Sequence, residues 1–437
     1  MALLKYKTVL FTVRTVTCRA CGCFQQVQHS LKTYLHDTRF PDSHAPKNQS
    51  LLKLAKYSTY CGRTERYLSA VASSIYRKEQ QRPLSRFDFL DMEDIEEIIT
   101  KAEKSRYFRR FILNPDLANL IVECLDGDLS ENNALIFECN PGPGVLTRAL
   151  LNGGAQRVVA LESDQQFLPA LQSLEKHLHG QLEVVHCDFF KLDPIGRGAV
   201  RPPAMLSEKL FNDLGIAPAA WTEDIPIRVI GILPQKNERN VLWKHIYALF
   251  ERISVFQLGR IEMNILMSEK EYTKLTAEAG NLKHYQALSA LYQMACEIQL
   301  LHKEPWSSFA TNSKNGGCAI PRSSLTNDHL CLVRLTPRKD LFNQTVTAAN
   351  SSTLVLMLKQ CLTKRKAKLI DRLESWCPGS GVKLLTQVGL SEDILTGEVY
   401  PEEYKELFEA MEHSQDFNQS WLHDEILENI NSTVSHI

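Results

Sequence analysis

The stretch Ala134-Leu-Ile-Phe-Glu-Cys-Asn-Pro-Gly-Pro-Gly-Val-Leu-Thr147 constrains the fold more than any other part of the chain. An apolar run ends in Glu138, a Pro/Gly loop follows from Asn140 to Gly144, and Val145 to Leu151 then reads as a helix. A buried strand that delivers its chain through a tight glycine turn into a helix belongs to doubly wound α/β sheets. There it brings backbone N–H groups close to a nucleotide-like ligand.

The flanking sequence carries the same alternation. Asn114-Pro115-Asp116 is a helix start, with Asn as cap, Pro in the first turn and Asp favourable to the dipole. Leu117, Leu120, Ile121, Cys124 and Leu125 form its apolar face, and Gly127 can end it. Strands are predicted over 134–138, 157–161, 182–187, 227–232 and 260–267, and final strands over 297–301 and 330–336. Helices are predicted over 145–151, 164–179 with Asp164 as cap, and 237–252. Leu192 to Pro226 reads as a long surface loop. After Pro337 the strand signal disappears, and residues 350–437 read as a separate small helical domain. The pattern implies a mostly parallel sheet covered by helices.

Net charge is near zero, with 50 basic and 51 acidic residues, but the charges are unevenly placed. Residues 1–36 contain Lys5, Lys7, Arg14, Arg19 and Lys32 and no acid. Such a segment fits a mitochondrial transit peptide over residues 1–40, hence a matrix protein; a basic tail without targeting function is the alternative. Residues 41–90 read as a linker or arm. No apolar run approaches the length of a membrane-spanning helix. Of the 12 cysteines, Cys18, Cys21 and Cys23 lie in the N-terminal segment with no second pair downstream, so neither zinc nor a disulfide framework is expected.

Three features carry chemistry. The first is the Asn140–Gly144 loop, which departs from the nicotinamide fingerprint because Thr147 stands at its third glycine. The second is Glu162, which ends the next strand, where an acid can accept from both ribose hydroxyls. The third is Asp188, after the third strand, where an acid can accept from the adenine amino group with a neighbouring Phe as apolar wall. Alone, either acid could be a helix cap. Together with the loop they describe an adenosine site without a phosphate-binding lysine, which suits S-adenosylmethionine better than ATP. The fold class is therefore α/β, a Rossmann-like domain over residues 91–340, with a small helical C-terminal domain over 341–437.

The run Glu138–Thr147, with Glu162-Ser-Asp164 and Asp188, resembles the rRNA adenine N6-dimethyltransferases. Phe108-Arg-Arg-Phe-Ile112 sits where that family has Gln-Asn-Phe-Leu, and Cys361-Leu-Thr-Lys-Arg-Lys-Ala-Lys-Leu369 is similar to its basic helix. The resemblance covers roughly residues 100–375 and implies that the Rossmann-like domain is an S-adenosylmethionine methyltransferase fold. It implies a cofactor site shared among Ile112, Asn140, Gly142, Gly144, Glu162 and Asp188, with Asn140 in place of the family's first loop glycine. It also implies a target-base motif of Asn-Leu-Pro-Tyr. Here Gly231 is followed by Ile232-Leu233-Pro234-Gln235, which lacks both the Asn acceptor and the Tyr ring that would stack on a flipped base. Losing each contact costs about 1–3 kcal/mol. Together that is roughly one to four powers of ten in rate, so methylation is expected to be weak or lost.

The resemblance extends to a mitochondrial branch of the family. This implies the nucleoid as location and promoter DNA, mitochondrial RNA polymerase and mitochondrial transcription factor A as partners. Methylation of two adjacent adenines in small-subunit mitochondrial rRNA, or binding of that rRNA without modification, are the competing readings. Lys359, Lys364, Arg365, Lys366, Lys368 and Arg372 form a dense positive patch suited to a phosphate backbone. Beyond it, residues 386–437 hold twelve acids and one lysine, Lys405. Leu407, Phe408, Met411, Trp421 and Leu422 are candidates there for an apolar face. Such an acidic tail can dock on a basic partner, shield the basic patch or remain solvated.

Overall fold

The computed structural model describes residues 109–125, 135–178, 180–194, 199–311 and 329–416. The chain divides into two units, residues 1–84 and 85–437, and all the described residues lie in the second. The expected transit peptide and linker, and Gly127, Trp421 and Leu422, lie outside the described residues.

A short ribbon pairs β1 (Arg110–Phe111) with β8 (Ala310–Thr311). The main sheet has seven strands: β2 (Leu135–Cys139), β3 (Val158–Glu162), β4 (Leu182–His186), β5 (Ile227–Ile232), β6 (Ile261–Ser268), β7 (Cys296–Pro305) and β9 (His329–Pro337). Their order across the sheet is β4-β3-β2-β5-β6-β9-β7. The first five are parallel, and β9 enters antiparallel between β6 and β7. The apolar strand runs are explained by burial on both faces. Ile136, Val158, Ala160 and Ile230 pack on the helices Pro115–Cys124 and Val145–Asn152. Leu135, Phe137, Cys139, Val159, Leu161 and Val229 point the other way, to a larger core.

The chain leaves β2 towards β3 and β4 on one side and returns to β5 on the other. The carboxyl ends of β2 and β5 therefore flank the crevice where such sheets bind ligands. Gly231 on β5 lies opposite Cys139 on β2, and a Cβ there would sit 2.7 Å from the Cys139 Cβ.

Several expectations need correction. The helix predicted over 164–179 spans only Leu168–Glu175, because Asp164 caps a preceding turn through Gln166 N–H (3.0 Å). The stretch 192–226 is not simply a surface loop. It contributes the helix Ser207–Asp213, and Leu210, Phe211, Leu214 and Trp221 are buried in the larger core. Helices Glu269–Leu275 and Ala287–Ala295 carry no prediction; Ser268 caps the first. At the C-terminal side stand helices Ser351–Thr363, Leu369–Trp376, Gly381–Gln387 and Pro401–Glu412. Their Leu354, Leu358, Leu407 and Phe408 share one apolar cluster with Phe250 and Leu291 of the sheet's covering helices.

Candidate cofactor pocket and nucleic-acid surface

The Pro/Gly loop adopts the backbone that its sequence requires. Asn140, Gly142 and Gly144 have φ of 56°, 60° and 78°. Asn is among the few residues with a side chain that visit this left-handed region readily. Its Oδ1 also accepts from Ser163 Oγ (2.6 Å) and, more weakly, Ser163 N–H (3.3 Å), which ties the loop to the end of β3. A Cβ on Gly142 would lie 2.7 Å from Phe111 Cδ1, and one on Gly144 2.9 Å from Leu171 Cδ2. The loop thus needs glycine at both positions to pack under Phe111 and Leu171, and it leads directly into the helix Val145–Asn152 with Gly144 as its cap.

Glu162 is fully buried at the end of β3. Its Oε2 accepts from Gly142 N–H (2.8 Å) and its Oε1 from Asp164 N–H (2.7 Å). Arg109 supplies the rest: Nη1 donates to Oε1 at 2.6 Å, and Nη2 to Oε2 at 2.9 Å. The same Nη2 donates to the Asn140 carbonyl (2.9 Å). The Arg109 guanidinium lies 4.7 Å from the Phe111 ring centroid and 5.3 Å from that of Phe167. Sequence reasoning did not identify Arg109, since the pair joins residues 53 apart in the chain.

Asp188 follows β4 and is buried. Its Oδ1 accepts from Phe190 N–H (3.2 Å), capping the short turn Phe189–Lys191, and Lys191 Nζ lies 2.8 Å from Oδ2. The cap and the binding role are compatible, because a carboxylate has about four acceptor directions. The Phe189 and Phe190 rings pack into the core against each other and His245. Burial pushes that imidazole down to about 3, so it is neutral there. Ile112 is buried behind the ribbon strand, in the cluster of the helix Val145–Asn152.

Glu138 is a second residue that sequence reasoning passed over. It is 1% exposed, stands next to last in β2 two residues before the loop, and lies against Thr147 of the helix Val145–Asn152. Burial pushes its carboxyl up to about 8, against the lowering effect of Thr147. Thr147, on the first turn of that helix, supplies the hydrogen bonds that partly offset this burial. A buried carboxyl with acceptor directions to spare suits a cationic group. Its signal in the sequence was an acid closing an otherwise apolar strand.

Across the crevice, Gly231-Ile232-Leu233-Pro234-Gln235 leaves β5. Ile232 is half-buried and Leu233 buried, its N–H donating to Leu266 O (3.0 Å). The Pro234 carbonyl accepts from Asn237 N–H (3.0 Å) in the turn that starts the next helix. Gln235 Oε1 is buried with no hydrogen-bond partner among the described residues. Within residues 231–235 the only side-chain acceptor is therefore an amide oxygen, and none of the five residues carries an aromatic ring.

The expected basic helix is a turn. The helix ends at Thr363, residues 364–367 form a turn, and the next helix starts at Leu369. Arg365 points inward, donating to the carbonyls of Lys283 (3.1 Å) and Tyr285 (3.2 Å). Lys368 pairs with Asp393 at 2.7 Å, so one acid of the C-terminal region does meet the basic segment. Lys364 and Lys366 are exposed, and Arg372 is half-buried. Exposed Lys359 donates to Tyr247 Oη (2.9 Å) and lies 5.8 Å from the Trp243 ring centroid. The acidic helix Pro401–Glu412 is anchored in the core by Tyr404, Leu407, Phe408 and Met411. Among the described residues no cluster of metal ligands forms.

A sequence model of the family described as Ribosomal RNA adenine dimethylase matches residues 100–413. The human protein named Dimethyladenosine transferase 2, mitochondrial is 44% identical, over 75% of this chain and 84% of that protein. The cattle protein of the same name is 46% identical, over 73% of this chain and 81% of its own length. Among solved structures, that of the 23S rRNA methyltransferase ErmE is similar at 17% identity and a TM-score of 0.42, covering 69% of this chain and 98% of that one.

Proposed function

This chain belongs to the ribosomal RNA adenine dimethylase family, and we propose that within it the chain works as a mitochondrial transcription initiation factor. In this reading it assists the mitochondrial RNA polymerase, with mitochondrial transcription factor A at the promoter, in melting promoter DNA and engaging the start site. Methylation by the chain itself is weak or lost.

One observation carries the reading. The crevice edge that should hold a target adenine presents Ile232 and Gln235. Ile232 can accept no proton from an exocyclic amine, and Gln235 offers no ring to stack on. The Pro234 carbonyl, which also accepts from Asn237 N–H, is the backbone contribution that could remain. A groove that has lost its base-catching groups and still stands in a chain carrying exposed Lys359, Lys364 and Lys366 suits a displaced single strand better than a methylation substrate.

The family's cofactor is S-adenosylmethionine, and the residues present fit it. The left-handed turn at Asn140, Gly142 and Gly144 would bring loop backbone to the nucleoside, and Asp188 retains acceptor capacity for an adenine amino group. Glu162 would hold the ribose once Arg109 gives way to it, and the buried Glu138 carboxyl would favour a nearby cationic centre. S-adenosylmethionine, when bound, supplies an electrophilic methyl group. Ile232 and Gln235 provide little to orient an adenine lone pair towards it. The intact cradle is also what favours the second reading, an active dimethylase of two adjacent adenines in small-subunit mitochondrial rRNA.

Two measurements separate the readings. Purified chain is added to mitochondrial RNA polymerase and transcription factor A on a duplex promoter and on a pre-melted one. It should be needed on the duplex and dispensable on the bubble; equal transcription from the duplex without it removes the initiation role. Methyl transfer from labelled cofactor to the rRNA hairpin, beside a family enzyme with an intact Asn-Leu-Pro-Tyr motif, should be slower by one or more powers of ten. Comparable rates would establish the enzyme reading instead.

A further inference from the structure

We propose that Arg109 is an internal occupant of the ribose end of the cofactor pocket, so that a nucleoside cofactor binds only by displacing it from Glu162. The proposal rests on the reading of Glu162 as the ribose acceptor given above.

The carboxylate of Glu162 has about four acceptor directions. Two are taken by the backbone N–H groups of Gly142 and Asp164, which belong to the frame of the site. Arg109 takes the remaining two with a bidentate pair at 2.6 and 2.9 Å. Those are the two directions that a ribose diol needs. The pocket acid therefore has no acceptor capacity left for a sugar while Arg109 stays in place.

The arginine is well held. Its side chain is 14% exposed and that of Glu162 is fully buried. The guanidinium touches two aromatic rings, Phe111 and Phe167, and a third acceptor, the Asn140 carbonyl. Exchanging this charge-assisted fork for two neutral hydroxyls leaves a buried carboxylate with weaker partners. The pocket is thus competent only in the fraction of molecules in which Arg109 has swung out, and apparent affinity falls by that fraction. Glutamine or alanine at 109 makes no ion pair and removes the competition.

Calorimetric binding of S-adenosylmethionine and S-adenosylhomocysteine to the full chain tests this, with thermal melts to establish folding. R109A and R109Q are expected to bind both at least about tenfold more tightly than the unaltered chain. Equal or weaker binding by folded R109A and R109Q, with the unaltered chain binding, would show that Arg109 is a clamp that holds the loop and would overturn the proposal. If D188A abolishes binding in that case, the cofactor reading survives alone. Absence of binding in every folded variant would overturn both. A second measurement needs no destabilised variant. In the unaltered chain labelled with 15N-arginine, the immobilised Arg109 guanidinium signal should vanish at saturating S-adenosylhomocysteine; its persistence would equally overturn the proposal.

Discussion

At the scale of single residues, the acids divide by how they are compensated. Glu162 is buried and saturated, whereas Glu138 is buried with hydrogen bonds from Thr147 that do not outweigh its desolvation. Burial raises the Glu138 carboxyl from its ordinary 4.5 to about 8. The folded state then binds a proton that the unfolded chain releases between those values. Stability must fall as pH rises through that window, by up to about 1.4 kcal/mol per pH unit for one group. Glu138→Gln keeps the shape and removes the titration. Urea unfolding at pH 5.5 and pH 8 should show a smaller loss for E138Q than for the unaltered chain; identical losses would mean that Glu138 is ionised when folded. Glu162 and Asp188 stand out in the sequence as acids at the ends of apolar strands, and the structure buries both. Arg109 does not stand out, because nothing local to its neighbours announces a partner on β3.

At the scale of elements, the parallel strands were legible and the insertion was not. Strands buried on both faces read as unbroken apolar runs, so their bounds came within a residue or two. The stretch 192–226 mixes prolines, charges and scattered apolar residues, and its helix Ser207–Asp213 is too short for periodicity to register. Trp221 shows what that stretch does. Its ring packs on Phe342 at 4.9 Å, and its Nε1 donates to the Arg338 carbonyl at 3.0 Å, joining the insertion to the chain beyond β9. Trp221→Ala should cost about 3–5 kcal/mol, as for other buried aromatic truncations. A loss under about 1 kcal/mol in chemical denaturation would return the segment to the status of a surface loop. Gly231 makes a parallel case at the crevice. A methyl there meets the Cys139 Cβ at 2.7 Å and its carbonyl at 3.1 Å. Gly231→Ala should therefore destabilise by about 1–3 kcal/mol by parting β2 from β5. A melting temperature unchanged from that of the unaltered chain would mean that the strands give way without cost.

At the scale of the whole molecule, the basic segment and the acidic C-terminal region are two sides of one packing problem. The sequence presents Lys364 to Lys368 as a charge run, and a helix seemed to follow from the residues on either side. Tertiary contacts break it: Arg365 is drawn to the carbonyls of Lys283 and Tyr285, while Gly397 N–H donates to the Arg365 carbonyl at 2.9 Å. Thr396 Oγ1 likewise donates to the Lys364 carbonyl (2.9 Å). The turn is pinned by the segment leading into the helix Pro401–Glu412, an element 30 residues further on that no local pattern could reveal. This pinning sorts the cations by task. Arg365 holds the turn, Lys368 is paired with Asp393, and Lys364 and Lys366 stand exposed. If a single strand crosses this surface, the double variant K364A/K366A should keep the melting temperature. It should also lower the salt dependence of single-stranded DNA binding, reducing the magnitude of the log–log slope by about 1.4. R365A should do the reverse, costing about 1–3 kcal/mol of stability through the lost carbonyl bonds, with a slope close to that of the unaltered chain at temperatures where it is folded. Fluorescence-anisotropy titrations from low to moderate salt read both. An unchanged slope in K364A/K366A would place the strand elsewhere on the molecule, and a slope that falls in folded R365A would give that guanidinium a phosphate contact in addition to its two carbonyls.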